Sequence, residues 1–275
     1  MRIFNKKLNI SNPIFVPQKR ITANPKVAPD MSIKLDQKPN DYLRRLFVQD
    51  TDTIEQTWGS NAFSTLKDIA PGQEFIFLVH AVLPQSIREF RASQLRTEGY
   101  SVDQIHLPTY PYKISEKDLI CCSVISNSHS ETFTDYGFIL DAPVSCYRGA
   151  SPEDANSKPP KEGKSWSWQN RSPFVGKYIE SGPQGLIRDS LGWNEVNLTG
   201  TSQSNNDKVK PIGIFIKSKN DKLQIDQEDL EKMKLTCIGL PVVIIERSNG
   251  QISKVFRDLN ELSPGDASTK PRFST

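Results

Sequence analysis

The apolar residues of this chain come in short bursts. Glu74 to Val82, Leu119 to Ile125, Tyr136 to Pro143, Trp193 to Leu198, Ile212 to Lys217 and Leu240 to Glu246 are the densest of them, and turn-forming or polar residues separate one from the next. Runs of that length are too short for buried helices and suit strands covered on one or both faces. The middle and C-terminal half of the chain is therefore predicted to be a series of short strands. Helices are left to the stretches where apolar residues recur at wider spacing, and the fold class expected is α+β.

Three stretches carry that wider spacing. Tyr42, Leu43, Leu46 and Phe47, then Ile54, Trp58, Phe63 and Leu66, predict one or two helices between Tyr42 and Asp68. Pro84 opens an amphipathic helix through Ile87, Phe90 and Leu95 that closes at Gly99. Asp226 stands at the cap of a helix running to Met233. Between the strand-like runs, the polar stretch Ser126 to Asp135 predicts a hairpin or meander, and Ser248-Asn249-Gly250 predicts a tight hairpin into a strand through Val255 and Phe256. Gly182, Gly185 and Gly192 punctuate the approach to Trp193, and no helix is predicted there. Arg148 to Asn170, with Pro152, Pro159 and Pro160, predicts a long surface loop bearing Trp166 and Trp168. Residues 1–41 are broken by prolines and read as an extended arm, 42–262 as one domain, and 263–275 as a polar tail.

Bulk properties exclude several functions. The 35 Lys and Arg against 32 Asp and Glu give a formal charge of +3, far from the clustered basic excess of a nucleic-acid-binding surface. The four cysteines, Cys121, Cys122, Cys146 and Cys237, lack the paired spacing of a zinc site and the density of a disulfide scaffold. No metal is expected. No run reaches the roughly 18 apolar residues of a membrane helix, and Met1 to Lys7 is not followed by the apolar core of a secretory signal. A soluble protein of a reducing compartment is expected.

Taken in order, four pieces resemble the ADP-ribosyltransferase fold of bacterial toxins and effectors. A first core strand ends near His80. A second carries Cys121-Cys122-Ser123-Val124-Ile125-Ser126, similar to the family's Ser-Thr-Ser segment. A third, Gly137 to Pro143, ends in Ala-Pro, and a fourth begins with the Glu195-Val196 pair after a glycine-containing loop. The resemblance covers Phe75 to Ile216 and implies a split β-sandwich of short mixed strands with flanking helices. It implies a mono-ADP-ribosyltransferase that uses NAD as substrate and acts on a macromolecular target, as a bacterial effector does on a host protein. The arginine-modifying members carry Glu-x-Glu where this chain has Trp193, which argues against an arginine acceptor. His80 stands where one branch has Arg and the diphtheria-toxin and poly-ADP-ribose-polymerase branch has His; an arginine such as Arg44 or Arg45 is the other candidate for that role.

The chemistry implied follows from the bond to be broken. Cleaving nicotinamide from ribose passes through an oxocarbenium-like cation, which a carboxylate stabilises. The resemblance assigns that role to Glu195, a ribose contact to His80 and a bracing role to Ser123. Phe133 or Tyr136 would stack on the nicotinamide ring, and Arg148 would meet a phosphate. Two other functions fit the residues. A cysteine-dependent hydrolase would pair Cys122 or Cys146 with His80, His106 or His129, and a non-catalytic protein-interaction module would present Trp166 and Trp168.

Overall fold

Strand alternation governs this chain. In the computed structural model, which describes residues 51–83, 111–116, 120–153, 175–202, 206–263 and 265, Phe77 and Val79 face one way and Leu78 the other. The same split separates Ile139 from Phe138 and Leu140, Phe215 from Ile214 and Ile216, and Val243 and Ile245 from Val242 and Ile244. Side chains of period two thus feed two cores on opposite faces of one sheet. Two compact units divide the chain, Met1–Gln37 and Lys38–Thr275, and every described residue belongs to the second. The arm at 1–41, the helix expected at Pro84–Gly99, Arg44, Arg45, His106, Trp166 and Trp168 lie outside the described residues.

The strands are β1 (Ile76–Ala81), β2 (Ile120–Ser126), β3 (Tyr136–Asp141), β4 (Tyr147–Ser151), β5 (Glu195–Leu198), β6 (Lys210–Lys219), β7 (Lys222–Leu223), β8 (Val242–Glu246) and β9 (Ile252–Phe256). They form one nine-stranded sheet in the order β4-β5-β2-β1-β3-β6-β8-β9, with β7 paired to β6. Among the described residues all strand pairings are antiparallel except β6 with β8. The protein is accordingly a mixed α+β structure dominated by a mixed sheet.

Three helices pack apolar residues into the larger core: α1 (Thr51–Trp58) through Ile54 and Trp58, α2 (Val175–Asp189) through Tyr178 and Leu186, and α3 (Gln227–Thr236) through Leu230 and Met233. The Asp226 side chain caps α3 by accepting from the Glu228 N–H, as its sequence predicts. On the opposite face Leu66, Ile69 and Phe75, from the segment leading into β1, fill the smaller core. The sheet coils about that core. Gly72 donates to the Ile252 carbonyl at 2.8 Å, and a Cβ on Gly250 would sit 2.5 Å from the Asn127 carbonyl oxygen. The β8–β9 turn thus meets the end of β2 although β1, β3, β6 and β8 lie between them.

Three expectations are corrected. β2 and β3 form no hairpin or meander: both pair with β1, one on each side, so residues 127–135 cross over from one end of β1 to the other. Arg148 to Ser151, expected at the start of a surface loop, belong to the sheet-edge strand β4. The glycine-punctuated stretch before Ser190 is helical. Gly182, at φ 62° and ψ −165°, breaks α2 into two pieces, and Pro183 starts the second, where proline's missing N–H costs no bond.

Candidate functional site

Glu195 opens β5, an interior strand between β4 and β2, and its side chain is buried, with Ser151 of β4 paired to it. The residue before it explains how the chain enters the sheet there. Asn194 is wholly buried; its Oδ1 accepts from the Val124 N–H at 2.7 Å and its Nδ2 donates to the Val124 carbonyl at 2.9 Å. An amide side chain thereby replaces a backbone pairing, leaving no orphaned polar group where β5 peels from β2. Ser123 Oγ donates to the Asn194 carbonyl at 2.7 Å. The β2–β5 register pairs Ile120 with Leu198 and Cys122 with Val196, so one step further brings Ser123 beside Glu195. The Ser123 hydroxyl is thereby held by the carbonyl of the peptide that joins Asn194 to Glu195.

β2 changes partner at this level. Its second half, Ser123–Ser126, pairs with β1, and its first half, Ile120–Cys122, with β5. Beyond the Val79–Ser123 pair β1 keeps only β3, with His80 opposite Phe138 and Ala81 opposite Gly137. His80 sits in this fork, buried, with Nδ1 at 2.9 Å from the Cys121 carbonyl. A carbonyl only accepts, so Nδ1 carries the proton in this contact. Glycine at 137 is what lets β3 close on this strand, since a Cβ there would lie 2.0 Å from the His80 carbonyl oxygen. His80, Ser123 and Glu195 thus occupy three successive strands, β1, β2 and β5. They do not share one face: Ser123 pairs with Val79, of the smaller core, and His80 with Phe138, of the larger one.

The remaining expected cofactor residues are placed differently. Tyr136 is buried in the larger core and its hydroxyl donates to Asp229 Oδ2 of α3 at 2.5 Å, which corrects its assignment to a nicotinamide stack. Phe133 packs edge-on against the half-buried Trp193, with ring centroids 5.7 Å apart. Arg148 Nη1 donates to the carbonyls of Ser145 and Tyr147, both at 2.8 Å, so part of the guanidinium ties down the turn before β4.

Burial pushes the Cys122 thiol well above its ordinary pKa and raises that of Cys146; it carries Cys237 up to about 11. Thiolate chemistry at Cys122 or Cys146 is thereby disfavoured. Among the described residues no group of three His, Cys, Asp or Glu side chains is arranged to hold a metal ion, and no helix is long and apolar enough to cross a membrane.

One cluster was not anticipated from the sequence. Lys217, at 2% exposure, lies 3.8 Å from Asp135 Oδ1, and Arg247 lies 3.5 Å from Asp135 Oδ2. Desolvation raises the pKa of Asp135 and lowers that of Lys217, while their mutual attraction opposes both shifts. The partners are too far apart in sequence for any spacing rule to find them. Comparison with known protein families, curated proteins and solved structures finds no match.

Proposed function

We propose that the chain transfers ADP-ribose from NAD to a macromolecular target. The observation that supports this is the carboxylate of Glu195, buried at the first residue of an interior strand. Ser123 stands on the next strand and His80 on the one beyond, in the order His, Ser, Glu of the resemblance. In the reaction the C1′–N bond between ribose and nicotinamide breaks and nicotinamide leaves with the bonding electron pair. The acceptor then attacks C1′ and loses a proton, giving ADP-ribosyl acceptor, nicotinamide and H⁺. Glu195 holds the ribose 2′-hydroxyl and offsets the positive charge that develops on the ring, an interaction stronger in the transition state than in bound NAD. With Trp193 in place of the first acidic residue, the acceptor is not arginine, and the target is a protein, of a host cell if the chain is an effector.

Incubation with labelled NAD and a cell lysate tests the reading, with nicotinamide release measured in parallel. Glu195→Gln keeps the shape and removes the charge; loss of about 10²–10³-fold in rate is expected for removing an electrostatic stabiliser of the transition state. Equal labelling by wild type and variant overturns the assignment of Glu195, and absence of both labelling and NAD binding overturns the transferase.

A further inference from the structure

The crossover from β2 to β3 is pinned to both ends of β1. Before β1, Asn127 Oδ1 accepts from the Phe75 N–H at 2.7 Å and Asn127 Nδ2 donates to the Gln73 carbonyl at 3.1 Å. Past its far end, Thr134 Oγ1 donates to the Val82 carbonyl at 2.8 Å. Within the crossover, Thr132 Oγ1 donates to the Thr134 carbonyl at 2.6 Å and the backbone of His129 exchanges two hydrogen bonds with Ser126. Asp135 ends it in the buried charge cluster with Lys217 and Arg247. This strap is over-determined at its anchors, and between them it carries Phe133 against Trp193, two residues before Glu195.

We propose that Phe133 is a positioning residue for Glu195, through which the β1-anchored strap fixes the Gly192–Asn194 entry to β5. This rests on the reading of Glu195 as the reacting carboxylate. The Asn194 clamp fixes the entry from the β2 side, and the ring of Phe133 fixes it from the strap. An edge-to-face pair resists rotation of Trp193, and Trp193 and Asn194 share a peptide with no strand pairing of their own. The strap thereby couples the strand carrying His80 to the strand carrying Glu195 across the fork at which β2 changes partner.

Amide hydrogen exchange and steady-state nicotinamide release on the full chain, for Phe133→Ala and Phe133→Tyr, decide the matter. Phe133→Ala is expected to speed exchange across Trp193–Val196 by about three- to tenfold, the strength of one aromatic pair, and to leave exchange in β3 and β6 unchanged. It lowers kcat with KM for NAD unchanged, and Phe133→Tyr, which keeps the ring edge, restores both. Unchanged exchange at Trp193–Val196 overturns the proposal. A rise in KM alone, with exchange unchanged, overturns it in favour of direct stacking on the cofactor. If the wild type releases no nicotinamide, the transferase reading falls while the exchange measurement still decides the role of Phe133.

Discussion

Asn194 spends both ends of its amide on one residue of the neighbouring strand, and that arrangement can be weighed. Truncating it leaves the buried N–H and carbonyl of Val124 unpaired, and an unsatisfied buried group costs about 1–3 kcal/mol, so Asn194→Ala should lower unfolding free energy by at least that much in urea titration. The same variant frees the entry to β5, and nicotinamide release should fall with it although no reacting atom is touched. Tyr136 offers a contrasting case. Its hydroxyl meets Asp229 inside the larger core, and Tyr136→Phe should cost about 1.5–3 kcal/mol, the range for a hydrogen bond to a charged group, with catalysis per folded molecule unchanged. A loss of NAD binding in that variant, with the fold intact, would restore Tyr136 to the cofactor.

Elements were legible where one residue type dominated and illegible where pairing decided. The bursts of Val, Ile and Phe located β1, β2, β3, β6 and β8, and Asn249-Gly250 located the β8–β9 turn, where Gly250 has φ 68°. β4, made of Tyr147, Arg148, Gly149, Ala150 and Ser151, holds no β-branched residue and among the described strands pairs with β5 alone, so little in its composition announces a strand. The partnering of β2 and β3 with β1 was missed because adjacency in sequence is a weak guide once a connection exceeds a tight turn. At the site, Glu195, Ser123 and His80 could be placed on strands from their runs, whereas the two hydrogen bonds between Asn194 and Val124 join residues 70 apart and leave no local trace. Gly137 gives the sheet its closest approach beside the fork. Gly137→Ala drives a methyl into the His80 backbone and must push β1 from β3, so a loss of about 1–3 kcal/mol, the usual cost of overpacking, is expected in thermal or urea unfolding. Unchanged stability would mean that the β1–β3 pairing is looser than described.

At the scale of the whole molecule the balance of charge enters through pH, and His129 carries the clearest sign. Its Nε2 is buried without a hydrogen-bond partner among the described residues, and burial lowers its pKa below the ordinary 6.5; the nearby Lys217 adds to the lowering, while Glu131 and the Gly192 backbone oppose it. The native state thus holds this imidazole neutral where the unfolded chain would already protonate it. Protons bound in excess by the unfolded state make stability rise with pH, so the contribution of His129 is complete above the unfolded pKa and is lost as pH falls from there through the folded value. Asp135 works in the opposite sense, because burial raises its pKa: acidification through that raised value protonates it in the native state first and adds stability. Comparing wild type with His129→Asn separates the two, since asparagine is polar, smaller than histidine and does not titrate. Urea midpoints measured at pH 7 and at about pH 5, on either side of the ordinary histidine range, should fall further for the wild type than for His129→Asn. Equal falls would show that the acid sensitivity of the fold lies elsewhere, and a smaller fall for the wild type would reverse the sign assigned to His129 and require a charged imidazole in the native strap.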